Sequence, residues 1–167
     1  DQLAASTLLP SSWAYDPTIT QPGYDPEGAV AALEELGWSD SDGDGTLDKD
    51  GAPLTIELST HSEDPNRIQA LEYIQAIMMQ NGVNAEISIA DWPAFSAGVR
   101  AGEHEVALLG WLNIVDPDRL MYAQFHSDGT LNWGGYANAR VDTLLDTGRA
   151  ATDVAERTAA YREAAAI

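Results

Sequence analysis

The segment Asp40-Ser-Asp-Gly-Asp-Gly-Thr-Leu-Asp-Lys-Asp-Gly51 is the chain's densest run of groups that could ligate a metal. Counting Asp40 as position 1, Asp40, Asp42, Asp44 and Asp48 fall at 1, 3, 5 and 9, with Gly45 at 6 and the Thr46 carbonyl at 7. That is the spacing of a calcium loop, in which alternate oxygens of a tight turn converge on one cation. Position 12 is Gly51 where a bidentate Glu belongs, Asp50 lies one place short, and no second helix follows. Two readings stay open. The run is a weak Ca²⁺ site built from Asp40, Asp42, Asp44, Thr46 and Asp48, or it is an acidic turn joining a helix to a strand.

Other catalytic chemistry is excluded motif by motif. His61, His104 and His126 are scattered, and His104-Glu105 is followed by Leu108 where a zincin needs its second His. No Ser sits in a Gly-x-Ser-x-Gly elbow, no Gly-rich phosphate loop occurs, and no carboxylate pair has the partners of an acid–base couple. The absence of cysteine removes disulfides, thiolate metal sites and cysteine nucleophiles. The chain does not read as an enzyme, and a hydrolase would need a centre outside this stretch. The net charge of −19, from 27 acidic and 8 basic residues, opposes contact with a phosphate backbone, so nucleic acid is not an expected partner.

Binding chemistry concentrates between Asp91 and Asp118. Asp91 caps a helix with Pro93 in its first turn, Phe95 and Val99 share a face, and Gly102 stops it. Val106-Ala-Leu-Leu109 reads as a short buried strand that delivers Gly110 and Trp111 to its C-terminal end, before a loop closing on Asp116-Pro-Asp118. In open α/β sheets ligands are met just beyond strand C-termini. An exposed glycine backbone beside a flat indole suits a cleft, although the same pair could close a core. Trp133-Gly-Gly-Tyr136 likewise could line a pocket or plug an edge.

The elements that must position these residues follow from caps and periodicity. Residues 1–24, broken by Pro10, Pro17 and Pro22, predict an irregular lead-in pinned by Trp13 and Tyr15. Asp25-Pro26-Glu27 starts a helix with Val30, Leu33 and Leu36 as its stripe; Gly37 ends it and Trp38 folds back. Leu54, Ile56 and Leu58 alternate in a strand over 53–60. Asp64-Pro65 opens a helix burying Ile68, Leu71, Ile74 or Gln75, and Met78, ended by Asn81-Gly82. A second strand follows over 83–90, with Val83, Ala85, Ile87 and Ile89 on one face. Strand, helix, strand is a parallel β-α-β unit. Pro117–Gln124 predicts a short helix capped by Asp116. Val141, Leu144 and Leu145 mark another, and Asp153-x-x-Glu156 is a capping box opening the last. The chain lacks an initiator Met and a long apolar span, and its last residues stop in mid-helix, so it reads as one piece of a longer protein.

Six marks in order over most of the chain carry a resemblance. They are Trp13-Ala-Tyr-Asp-Pro17, Tyr24-Asp-Pro-Glu27 through Leu36-Gly-Trp38, Asp91-Trp92, Gly110-Trp111, Asp116-Pro-Asp118, and Gly135-Tyr-Ala-Asn138 with Val141-Asp-Thr-Leu-Leu145. Together they resemble the second, C-terminal lobe of the extracytoplasmic solute-binding proteins of family 5, which serve dipeptide and oligopeptide ABC importers. The resemblance implies an α/β lobe of the type II, peptide-binding fold, with helices packed on a mixed sheet and residues 25–167 as one body. It implies a monomer, periplasmic or extracellular, that closes two lobes over a peptide or related solute and docks on the transmembrane subunits of a permease. It implies no required cofactor. Peptide-binding members hold the ligand's amino group with an Asp three residues after the Trp of Gly-Trp; here that place is Ile114. A buried ammonium without a carboxylate is costly, so the branch that carries sugars, opines or nickel chelates stays open, as does a calcium-dependent interaction module. Trp111, Asn113 and Ile114 are expected to face the solute, with Trp133 and Tyr136 behind them and Asp116 as a substitute carboxylate or a plain helix cap.

Overall fold

The computed structural model describes residues 4–111 and 116–167. The chain forms two compact units, a sheet unit over 23–110 and a helical unit made of 1–22 and 111–167.

In the sheet unit, α1 (Pro26–Glu35) is capped by the Asp25 carboxylate, which accepts from the Gly28 amide, and carries Pro26 in its first turn. None of its residues is buried. Leu36, expected on the apolar stripe, is 65% exposed. Gly37 (φ +88°) turns the chain directly after it, and Trp38 folds back to donate its amide to the Leu33 carbonyl at 3.1 Å. β1 (Asp48–Lys49) and β2 (Ala52–Pro53) form a two-stranded antiparallel ribbon.

β3 (Thr55–His61), α2 (Pro65–Gln80) and β4 (Asn84–Ala90) make the expected parallel unit, in register from Thr55 against Asn84 to His61 against Ala90. After α3 (Trp92–Ala101), β5 (Val106–Ala107) pairs with the other edge of β3, giving the order β4-β3-β5, all parallel. Among the described residues, antiparallel pairing is confined to the ribbon and a single bridge between Ser39 and Asp48. β5 is shorter than the expected strand over 106–109, and Val106 is exposed because it lies on an open edge. Leu108 continues the ladder through one amide bond to Ser59, at 2.8 Å.

Leu58, Leu71 and Ala85 are the buried centre, with Ile56, Met78, Ile87 and Leu108 packed around them. Ile74 faces solvent and Gln75 takes the inner place, donating to the Ala85 carbonyl at 2.8 Å. Ile89, expected on the buried face of β4, is also exposed. Successive strand residues point to opposite faces. Leu58 meets α2, while His61 meets Phe95 and Trp92 of α3, so the C-terminal half of β3 is buried on both sides. Gly82 ends α2 at φ +80°, where a Cβ would stand 2.9 Å from Leu47 Cγ; only glycine fits both demands.

In the helical unit, residues 4–22 contain no helix or strand, but Leu8 and Ala14 are buried. Trp13 sits edge-on to Tyr161 at 6.0 Å, and the Tyr15 carbonyl accepts from Arg162 at 2.8 Å, so both aromatics pin the lead-in. α4 (Pro117–Phe125), α5 (Ala139–Ala150) and α6 (Val154–Ala166) start at the side-chain caps Asp116, Asn138 and Asp153. Asp153 accepts from the Glu156 amide, as the capping box predicts. Their core joins Met121, Val141, Leu144, Leu145, Tyr161 and Ala164 to Leu8 and Ala14.

Candidate ligand-binding site

The C-terminal edge of the parallel sheet gathers the end of each strand. β3 ends in His61, β4 runs into Asp91 and Trp92, and β5 leads through Leu108 and Leu109 to Gly110. His61 is buried, with Trp92 at 5.2 Å and Phe95 at 5.8 Å between ring centres. Arg67, in the first turn of α2, reaches back over this edge. Its Nη1 lies 2.6 Å from His61 Nε2, and its Nε pairs with Asp64 Oδ2 at 3.4 Å. A Cβ at Gly110 would stand 2.6 Å from Arg67 Nη2, so the guanidinium lies directly on the glycine backbone. Arginine can only donate, so His61 Nε2 accepts and the ring carries its proton on Nδ1. That Nδ1 is buried without a hydrogen-bond partner among the described residues.

Of the sequence-predicted binding residues, Trp111 and Trp133 come together, with ring centres 5.1 Å apart at 68°. The Trp133 indole N–H donates to the Thr130 carbonyl. Tyr136 packs edge-on against Phe125 and borders a separate cavity of about 370 Å³ with Met121, Val141 and Ala164. Asn113 and Ile114 lie outside the described residues. Asp116 is a helix cap: its Oδ1 accepts from the Asp118 amide at 3.0 Å and from Arg157 Nη2 at 2.9 Å. Asp118 takes Arg149 in a bidentate pair at 2.9 and 3.1 Å and accepts from the Tyr161 hydroxyl. Burial is the largest effect on that hydroxyl and pushes its pKa up to about 12. Both carboxylates of Asp116-Pro-Asp118 are therefore already committed to arginines.

The acidic loop brings three of its five candidate ligands together: Asp40, Asp42 and Asp44 each place an oxygen within 4.8 Å of the others. Their carboxylates also accept from the loop's own amides, Asp40 from Gly43 and Gly45, Asp42 from Asp44, and Asp44 from Thr46. Asp48 is held apart from the set, with both oxygens accepting from Ser41. Thr46 borders the same hollow but adds no further carboxylate. This is the geometry of a self-capped acidic turn, and the five-ligand set expected for Ca²⁺ does not assemble.

His61 and Arg67 are the residues that pattern reading passed over. His61 is the last residue of the alternating strand, and extending that run by one would have found it. Nothing local marks Arg67. It meets His61 across the Asp64 cap, and Gly110 only through parallel pairing of β3 with a strand more than forty residues away.

The profile of the bacterial extracellular solute-binding proteins, family 5 Middle, matches residues 1–132. The chain is 29% identical over 161 residues to the oligopeptide-binding protein AppA of Bacillus subtilis, covering 92% of this chain and 29% of that protein. Its fold superposes on the solved structure of AppA in complex with a nonapeptide at a TM-score of 0.84 and 27% identity, over 99% of this chain and 34% of that one. NikZ of Campylobacter jejuni in complex with Ni(L-His) is similar at a TM-score of 0.76 and 27% identity, over 93% of this chain and 32% of that one. The chain thus spans about a third of the length of these relatives. The type II, peptide-binding α/β fold is common to them, and with the profile covering most of its length the chain belongs to the bacterial extracellular solute-binding proteins of family 5.

Proposed function

We propose that this chain is part of the C-terminal lobe of the substrate-capture component of an ABC importer. The whole protein closes two lobes over a small solute, a peptide or a related compound, and passes it to the transmembrane subunits of a permease. It works as a monomer, binds rather than catalyses, and is periplasmic or extracellular, held at the membrane by its transporter. No described helix is long and apolar enough to cross a membrane. The observation that carries this reading is the convergence of His61, Trp92 and Gly110 at the carboxyl ends of three parallel strands, where open α/β sheets meet their ligands.

Trp111, Asn113 and Ile114 face the solute in this reading, with Trp133 supporting Trp111 and Tyr136 further back. Asp116 serves as a cap and an arginine partner rather than as the holder of a ligand ammonium, since its Oδ1 already accepts two hydrogen bonds. A single lobe leaves most of a ligand in water, so residues 1–167 alone bind weakly. The test is native mass spectrometry of the complete protein, then thermal shift against peptide and sugar panels. A solute carried through purification, or a clear rise in Tm with one panel, is expected. Micromolar binding by the isolated 167 residues would refute the two-lobe account.

A further inference from the structure

We infer that Asn132 is a positioning residue of the solute site: its side chain holds the turn that sets Trp133 against Trp111, and so fixes the aromatic wall the solute meets. This rests on the solute-binding reading above and names what shapes that wall. Residues 126–138, between α4 and α5, contain no helix or strand, so no ladder orders them. A connection of this kind is held by contacts of its own side chains. Asn132 supplies them with every group its amide offers. Nδ2 donates to the His126 carbonyl at 3.1 Å and to the Tyr136 carbonyl at 2.7 Å, and Oδ1 accepts from the Tyr136 amide at 2.9 Å. Two carbonyls on one side and an N–H on the other leave the amide a single orientation.

One end of this brace is rigid. His126 caps the C-terminus of α4, is buried, stacks on Tyr122 with ring centres 4.2 Å apart, and accepts from the Asp128 amide on Nδ1 at 3.0 Å. The other end is the turn Trp133-Gly-Gly-Tyr136. Gly135 stands at φ +66°, and a Cβ on Gly134 or Gly135 would meet nothing within 4 Å. The glycines give the turn no packing, and the bonds from Asn132 to Tyr136 close it. Trp133 lies within that closure. Its amide donates to the Leu131 carbonyl at 2.8 Å, its indole N–H donates to the Thr130 carbonyl, and its ring stands 5.1 Å from Trp111 at 68°. The worth of an aromatic pair depends on ring angle and separation, so a turn that relaxes alters the wall without removing an atom of it. Asn132 thus acts through Trp133 and needs no contact with the solute.

The experiment is a double-mutant cycle in the complete protein, with a random tripeptide pool and an oligosaccharide pool as probes, or a solute carried through purification where there is one. Asn132→Asp keeps the shape of the side chain but sets an oxygen against the His126 and Tyr136 carbonyls. It should weaken binding of the probe that the unaltered protein takes by about three- to tenfold, the scale of one aromatic contact, and by no more than Trp133→Ala does. Combined with Trp133→Ala it should add nothing further, because both act on one wall. The circular-dichroism couplet of the indole pair, read as the difference between the unaltered protein and Trp133→Phe, should collapse in Asn132→Asp with no ligand present. Gly148→Ala, which disturbs the same helical unit at Tyr161, should keep both the affinity and the couplet. If Asn132→Asp does not fold, Asn132→Ser takes its place with the same readings. An intact couplet or full affinity in the Asn132 variant, or losses that add in the double variant, overturns the assignment while leaving solute binding intact. Response of the unaltered protein to neither pool, with nothing carried through purification, overturns the solute-binding reading, and the role of Asn132 in it falls too.

Discussion

The helical unit closes on one ring, whereas the sheet unit has a thin centre and its distinctive chemistry at an edge. Tyr161 is fully buried, flanked by Trp13, backed by Gly148 and bonded to Asp118, and α5 and α6 bury seven residues between them. In the sheet unit α1 buries none of its residues, α2 only Leu71 and α3 Phe95, Ser96 and Val99, so the parallel ladder carries its order together with a thin layer of packing. The contrast separates two jobs. Tightly packed interiors transmit any change in volume, while a strand edge can lose a side chain and keep its fold.

The sharpest way to break this contrast is a pair of truncations read by chemical denaturation. Tyr161→Ala should cost about 3–5 kcal/mol, because ring, hydrogen bond and flanking packing go together. Leu71→Ala should fall near the low end of the core range, about 2–3 kcal/mol, since half-exposed neighbours such as Met78 can relax into the gap. If Leu71→Ala proves the more damaging, the sheet unit is the better packed and the comparison is reversed.

Gly148→Ala sharpens it further. A Cβ there would stand 2.6 Å from Tyr161 Cζ, so the ring must move, at a cost of about 1–3 kcal/mol. Gly134, with nothing within 4 Å, is the matched control and should tolerate alanine with little change. Equal melting temperatures for the two variants would mean that Tyr161 has room to shift.

The same ring predicts a pH dependence. Its hydroxyl has a pKa of about 12 against an ordinary 10.0, so the folded chain keeps a proton that the unfolded chain releases first. The stabilisation is complete below pH 10 and is lost as pH rises from 10 to 12. Over that window the loss should approach about 2 kcal/mol in the unaltered protein and vanish in Tyr161→Phe. An identical alkaline slope in both would place the titrating group elsewhere.

How much of this was legible in the sequence depended on whether the deciding contact was local. Caps were legible, because Asp25, Asp64, Asp91, Asp116 and Asp153 each act on an amide two or three residues away. The parallel β-α-β unit was legible because Leu54, Ile56 and Leu58 repeat at the strand period around a helical stretch. Burial of individual apolar residues was less so. Leu36, Ile74, Ile89 and Val106 fit the pattern yet face solvent, since pattern names a face and not what covers it. The acidic loop shows the limit of spacing: Asp48 has the right number in the motif and the wrong partner in Ser41. Arg67 on Gly110 is a tertiary fact with no local sign.

Among the aromatic truncations, a small change in stability is expected at the residue first picked out for binding. Trp111 is half-buried and meets Trp133 in an edge-to-face pair, worth about 1 kcal/mol beyond its area. It belongs to neither buried cluster. Trp111→Ala in the complete protein should therefore lower the melting temperature by only a few degrees, the shift that about 1 kcal/mol produces in a domain of this size. Solute affinity should fall by a larger factor, because an aromatic wall facing a ligand contributes both area and shape. Trp133→Ala should follow the same order with a weaker effect on affinity, since its indole N–H is spent on Thr130 and its ring backs Trp111. A drop in melting temperature comparable to that of Tyr161→Ala, with affinity unchanged, would move Trp111 into the core.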